Sequence, residues 1–158
     1  MPSSLPHILV GASIIAVQWL LLGRLHIGNA WPDAVLLYVA WAAMQFGRRK
    51  GALTGFASGF FMDALYGTWG IQMFVKTLIG FLIGLFRPTE REIFPVIPSY
   101  IFVGSLAVAL LHNGLFALFI ALDASTKNPS IVTGVWLGSS LYTAALAGLA
   151  TLFVTRTR

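Results

Sequence analysis

The scarcity of charge in this chain restricts its fold more than any other feature. Of its 158 residues, 58% are hydrophobic and only 9% are charged, whereas an average soluble domain carries about 25% charged residues. A water-soluble fold of this size could not cover its surface with so few charges. The sequence therefore predicts an all-α integral membrane protein that forms one transmembrane domain over residues 1–158.

Six apolar segments predict six transmembrane helices. A span needs about 20 residues, because the hydrocarbon core is about 30 Å thick and a helix rises about 1.5 Å per residue. The second and third segments are shorter than this. They are either short spans in a thinned region or a hairpin that does not fully cross. The approximate segments are 8–23, 34–47, 51–66, 69–86, 96–122 and 131–154.

The first segment is predicted to be a retained span, because it has neither the basic start nor the small-residue cleavage site of a signal peptide. The Lys and Arg residues then predict that both termini are cytoplasmic. With the N-terminus inside, only Arg24 and Lys127 fall in outer loops, and Lys76 falls within a span. The basic residues on the inner side are Arg48, Arg49, Lys50, Arg87, Arg91, Arg156 and Arg158.

Small residues recur at every fourth position along the third and fourth segments. Residues at this spacing share one helix face, and small side chains there allow helices to approach closely in lipid. The pattern predicts tight packing between these segments or against a neighbour; docking of a helix from another protein is the alternative. The glycines of the stripes are Gly51, Gly55, Gly59, Gly67, Gly80 and Gly84.

Two ionisable residues of opposite sign lie near the turn between these segments. Asp63 precedes the turn, and Lys76 follows it by about two helical turns. Ionisable groups inside a membrane usually face the protein interior and find a partner, and a lysine side chain can reach toward the surface. We therefore expect Asp63 and Lys76 to approach each other, directly or through water, either as a structural pair or as part of a binding site.

Further polar residues fall within the predicted spans. His112 and Asn113 lie near the middle of the fifth segment, where an interhelical hydrogen bond is the simpler interpretation and a proton relay or ligand contact the alternative. Pro32 and Asp33 open the second segment and are predicted to fix its start. Other polar side chains within the spans are those of Gln18, Gln45, Ser139, Ser140 and Thr143.

The sequence contains no motif of a known enzyme class. HExxH, GxSxG and P-loop patterns are absent, and so is cysteine. The few acidic and histidine residues are scattered, which argues against a catalytic or metal site and predicts no cofactor. The net charge of +5 is attributed to membrane topology and not to nucleic-acid binding.

The order of several motifs resembles the MreD family of bacterial rod shape-determining membrane proteins. Trp31-Pro32-Asp33 is followed by a short apolar run, a basic turn, GxxxGFxxGFFMDALYGTWG and a glycine-rich span. The resemblance is best over about residues 31–87. It implies a non-enzymatic scaffold of the cell-elongation complex in the inner membrane, which supports side-wall peptidoglycan synthesis and cell shape.

The same resemblance implies a set of partners. An MreC-like bitopic protein would bind in the membrane, and MreB filaments, RodA and a penicillin-binding transpeptidase would associate directly or indirectly. The lipid bilayer is a further partner, nucleic acid is not expected, and a homodimer is left open.

MreD-like proteins are also similar in fold to the six-helix substrate-binding subunits of energy-coupling-factor (ECF) transporters. The rival hypothesis is therefore a vitamin-uptake subunit with an outward-facing pocket, to which Asp63, Lys76, His112, Asn113 and Trp69 would contribute. A lipid-handling cavity protein is a third and weaker alternative. The glycine stripes and polar residues fit both leading hypotheses, so these features do not separate them.

Overall fold

The computed structural model describes residues 4–68, 70–87, 98–122 and 132–156. Within these ranges the chain forms six α-helices and no β-strand. A short 3₁₀ turn, Leu22–Arg24, follows the first helix, and a π-helical segment, Val132–Gly138, leads into the last one. The helices are α1 (Ser4–Leu20), α2 (Ala34–Phe46), α3 (Arg48–Tyr66), α4 (Ile71–Leu85), α5 (Pro98–Leu122) and α6 (Ser139–Arg156).

The predicted all-helical class is confirmed. Three helical stretches are long and apolar enough to cross a membrane, namely Pro6–Arg24, Ser99–Leu122 and Thr133–Leu152. Helices α2 and α4 are shorter, with 13 and 15 residues, so α2 is only about 20 Å long. Of the predicted segment ends, residues 69, 96 and 131 lie outside the described ranges.

The turn between α2 and α3 is tighter than the sequence predicts. Arg48, Arg49 and Lys50 were expected to form this turn, but they occupy the first turn of α3. Gly47 alone links the two helices, with φ of +82°, a backbone conformation in which a side chain would be strained. Because the turn is so short, α2 and α3 are held side by side and both pack against α4.

Helices α3 and α4 form the most extensive helix pair in the bundle. A Cβ atom on Gly51 would lie 2.5 Å from the carbonyl oxygen of Gly80, and one on Gly59 would lie 2.5 Å from the Cα atom of Met73. Gly55 abuts the carbonyl group of Lys76 in the same way. The two backbones therefore touch along the stripe, and these glycine faces are occupied within the chain.

Gly84 and Gly67 mark the two ends of this helix pair. Gly84 packs against the backbone of Arg48 at the start of α3. Gly67 does not continue the packing stripe: nothing lies within 4 Å of the position of its Cβ atom. With φ of +71° it instead terminates α3 in the left-handed conformation.

The other helices surround this pair. Helix α4 contacts α5, which packs along α6, whereas α1 rests mainly on α2. A buried apolar cluster joins α2, α4 and α5 through Leu36, Val75, Ile79 and Ala109. Many large apolar side chains elsewhere are exposed, as expected for helices that face lipid.

A single added methyl group should test the close approach of α3 and α4. We expect Gly55→Ala to lower the free energy of unfolding by about 1–3 kcal/mol, because the Cβ atom would overlap the Lys76 carbonyl in a packed interface. Thermal unfolding in mild detergent measures the change. Gly104→Ala is the matched control, since Gly104 is helical and has nothing within 4 Å of its Cβ position. Equal stability of the two variants would contradict the packing described.

Candidate functional site

The polar site forms around the start of α2, where the residues Trp31-Pro32-Asp33 precede the helix. The Asp33 carboxylate accepts a hydrogen bond from the Leu36 amide at 2.8 Å through Oδ1, which caps the helix. This leaves the second oxygen, Oδ2, directed at the bundle interior. Asp33 is 4% exposed, so this oxygen requires a partner within the protein.

Lys76 of α4 provides that partner. Its Nζ atom lies 2.5 Å from Asp33 Oδ2 and 2.8 Å from Gln72 Oε1, and 3.2 Å from Nε2 of His112. The lysine side chain is fully buried. A buried ammonium group has three donors to satisfy, and here a carboxylate, an amide and an imidazole on three different helices surround it.

The network continues from Lys76 through α5 to α6. His112 Nδ1 lies 3.0 Å from Oδ1 of Asn113, whose Nδ2 donates to Ser140 Oγ at 3.1 Å. The Ser140 hydroxyl in turn donates to the carbonyl oxygen of Trp136 at 2.5 Å. The predicted interhelical hydrogen bond from His112-Asn113 is thus present, and no buried side-chain nitrogen or oxygen atom among the described residues lacks a partner.

Side chains of α1 and α6 hold the segment 31–34 in place. Gln18 donates to the Pro32 carbonyl and accepts from the Ala34 amide, both at 2.8 Å. From α6, two hydroxyl groups accept hydrogen bonds from the backbone amides of Trp31 and Asp33, at 3.1 and 3.0 Å; they belong to Ser139 and Thr143. Pro32 and Asp33 therefore begin α2 and also connect it to α1 and α6 through hydrogen bonds of their backbone.

Asp63 has a different role from the one predicted. Its two carboxylate oxygens accept hydrogen bonds from the backbone amides of Gly70, Gln72 and Met73 and from the Thr68 hydroxyl, at 2.8–3.0 Å. The carboxylate therefore satisfies the free amide groups at the start of α4, where negative charge is favoured by the helix dipole. Asp63 and Lys76 were expected to approach each other directly or through water, but Lys76 pairs with Asp33 instead. Gln72 lies between the two groups: its side chain accepts from Lys76, and its backbone amide donates to Asp63.

The register of α3 and α4 explains this difference. Gly55, and not Asp63, is the residue of α3 that abuts Lys76. Asp63 is eight positions further along the helix, which corresponds to about 12 Å. That offset explains why Lys76 does not bind Asp63 directly.

The described residues contain no group of three or more His, Asp or Glu side chains that could hold a metal ion. Trp69, which the rival hypothesis placed in a pocket, lies outside the described residues. The site is therefore a hydrogen-bonding network around one charge pair, Lys76 and Asp33, whose charges balance. No nucleophile is paired with a general base in it.

The fold and this site define a multi-pass membrane protein with a polar network enclosed between its helices, a class in which such networks serve binding and transport. The chain belongs to the family described as ECF-type riboflavin transporter, S component, which matches residues 8–156. No curated protein and no solved structure matches it significantly. Members of this family are substrate-binding subunits and not enzymes, and they reside in the inner membrane as multi-pass proteins.

This family assignment corrects the resemblance to MreD. The match extends over nearly the whole chain, whereas the MreD-like motifs were best over residues 31–87. The cell-shape function and the partners MreC, MreB, RodA and the transpeptidase are therefore wrong. The glycine stripes, which suggested a scaffold docking face, are instead occupied by packing between α3 and α4.

A double-mutant cycle should reveal the coupling between Lys76 and Asp33. Either Lys76→Met or Asp33→Asn leaves one buried charge without its partner, which typically costs about 3–5 kcal/mol. The double variant removes both charges, so we expect it to be more stable than the sum of the two single effects. Thermal unfolding of the four proteins in detergent measures the coupling, and strict additivity would show that the two groups do not interact.

Proposed function

We propose that this chain is the substrate-binding subunit of an ECF transporter and that it binds riboflavin. The observation that carries the proposal is the family match over residues 8–156, which takes in residues of all six helices. A bound vitamin would then be transferred across the membrane together with an ECF module, which consists of ATPase subunits and a transmembrane coupling protein.

The electrostatics of the polar network support a neutral substrate. Lys76 is the one buried cation among the described residues, and Asp33 already balances its charge. A charged ligand brought next to this pair would leave a charge uncompensated in an apolar bundle, at a cost of several kcal/mol. Riboflavin carries no net charge at neutral pH, and its ring imide and ribityl hydroxyls require hydrogen-bond partners.

Groups suited to such a ligand lie at the same end of the bundle as the network. His112, Asn113 and Ser140 hydrogen-bond within the network and would exchange some of these bonds for bonds to a ligand. The aromatic rings of Trp31, Phe116 and Trp136 lie on the neighbouring turns of these elements. A planar flavin ring gains from apolar and aromatic surroundings with a few convergent polar groups. We therefore place the riboflavin site beside the network, toward the ends of the helices where α2 and α4 begin.

Ligand selectivity tests the proposal directly. We expect the purified protein to bind riboflavin, read as quenching of flavin fluorescence, and to bind flavin mononucleotide and thiamine at least about tenfold more weakly because each brings an unbalanced charge. Asn113→Ala should weaken riboflavin binding. Leu53→Ala is the control, since Leu53 is 67% exposed on α3. Absence of riboflavin binding, or equal affinity for the mononucleotide, would contradict the proposal.

We also propose six membrane spans with both termini in the cytoplasm. The excess of basic residues at the α2–α3 turn and after α4 supports this orientation. The polar network would then lie toward the outer surface, where a substrate enters, and α2 would cross as a short span in a locally thinned bilayer.

Because the chain has no cysteine, single-cysteine variants can report this topology without background labelling. We expect Ile27→Cys, in an exposed turn after α1, to react with a membrane-impermeant maleimide in intact spheroplasts. Arg49→Cys should react only after the membrane is opened. Labelling of both positions from the same side would show that the α1–α2 region does not cross as proposed.

A further inference from the structure

A crevice of about 400 Å³ lies at the end of the bundle opposite to the Lys76 network. It forms where the α2–α3 turn meets the end of α4. Two buried glycines, Gly47 and Gly84, line it, and Phe46 and Leu85 supply the apolar part of its lining, which we call the apolar wall. Its remaining lining residues are cationic, namely Arg48, Arg49 and Arg87.

These two glycines bring together the arginines at the start of α3 and the arginine that follows α4. A Cβ atom on Gly47 would lie 3.4 Å from Cδ and 3.6 Å from Nη1 of Arg87, so the Arg87 side chain folds back across the turn. On the other side, Gly84 packs against the backbone of Arg48. Side chains at either glycine would push the guanidinium groups apart, so the missing side chains create the cationic crevice.

The charge of this crevice is not balanced by the described part of the chain. Both carboxylates in that part, Asp33 and Asp63, lie at the opposite end of the bundle, where they are bound to Lys76 and to the start of α4. The cations in the first turn of α3 also oppose the positive end of its helix dipole. They therefore gain no stabilisation from the helix itself, and an anion bound among them would relieve their repulsion.

Aromatic residues place the crevice at the membrane surface. Trp41 packs with Tyr38, His7 and Phe46, at ring-centroid distances of 5.8–6.1 Å, and is 44% exposed. Phe46 is shared between this aromatic cluster and the apolar wall of the crevice. Clusters that contain Trp and Tyr typically lie at the level of the lipid headgroups, so the arginines lie where phosphates of the bilayer are found.

We infer that this crevice binds an anionic phospholipid. The arginines hold the headgroup phosphate through charge-assisted hydrogen bonds, a geometry for which the guanidinium group is well suited. The first acyl carbons lie along Phe46 and Leu85, an apolar wall that a free phosphate ion would not use. The combination of a cationic rim with an apolar wall at headgroup depth favours a lipid over an acidic protein segment.

The test is a binding titration of the delipidated full-length protein in detergent, followed by native mass spectrometry. We expect phosphatidylglycerol to bind at least about tenfold more tightly than phosphatidylcholine with the same acyl chains. Arg48→Gln, Arg49→Gln and Arg87→Gln should each weaken phosphatidylglycerol binding about fivefold. Arg24→Gln is the matched control, because Arg24 is an exposed arginine at the opposite end of the bundle. The affinity of this variant for phosphatidylglycerol should be unchanged.

Several outcomes would overturn the inference. Equal binding of the two lipids, or unchanged affinity in the three arginine variants, would show that the crevice does not select an anionic headgroup. Binding of glycerol 3-phosphate as tight as that of phosphatidylglycerol would indicate a site for a free anion. Displacement of the lipid by a short polyglutamate peptide at lower concentration than by added lipid would indicate an acidic protein partner.

The result of the lipid titration can be separated from effects on folding and from the proposed transport function. Thermal unfolding of each variant establishes that it is folded, and Arg49→Gln, which alters an exposed side chain at the rim, provides the comparison if the other two are unstable. Riboflavin is not present in the titration. Loss of lipid selectivity would therefore leave the substrate proposal intact, and failure to bind riboflavin would leave the lipid site intact.

Discussion

The buried ammonium group of Lys76 is the interaction on which the arrangement of the helices depends. An isolated charge in an apolar interior costs several kcal/mol, and the bundle removes this cost only by bringing three acceptors to one point. Asp33, Gln72 and His112 meet there from the start of α2, from α4 itself and from the middle of α5. A shift of any of these helices along its axis would separate the charge from a partner, so the network fixes their relative heights.

The glycine contacts between α3 and α4 determine where Lys76 can point. Because Gly55 abuts the lysine carbonyl, the α3 backbone occupies the space on that side of α4, and the lysine side chain extends toward α2 and α5 instead. The same close approach positions Asp63 at the first turn of α4, where it binds three backbone amides. The close packing of the glycines therefore determines which groups bind the charged side chains of Lys76 and Asp63.

Sequence reasoning located the six helices and most residues of the network, though not Gln72, and it did not predict how those residues pair. Apolar length and the Pro32 and Asp33 signals are local, and they predicted most helix ends to within a few residues. The partner of Lys76 is 43 positions away, and its identity depends on the register of α3 against α4, which no local pattern encodes. Asp63 was chosen because it is near in sequence, whereas the correct acid had been interpreted as a helix start alone.

The family was misjudged for a related reason. A proline-aspartate helix start, a basic turn and glycine stripes are what a chain needs to fold short membrane helices tightly, whatever the protein binds. These motifs describe the architecture shared by MreD-like proteins and ECF substrate-binding subunits. The family match extends over residues 8–156 and so includes the first and last helices, which lie outside the region 31–87 where the MreD-like motifs were found.

The position of Asp33 has a consequence for the synthesis of the protein. Asp33 leaves the ribosome 43 residues before Lys76, which at the usual rate of translation is about 2 to 9 seconds. Thr143, which binds its backbone amide, follows 110 residues after Asp33. During these intervals the carboxylate at the head of α2 lacks the buried ammonium group that balances it in the folded protein, so α2 gains its full stabilisation only when α4 arrives. The short second helix is thus expected to wait at the insertion machinery, and the first four helices to enter the bilayer as a group.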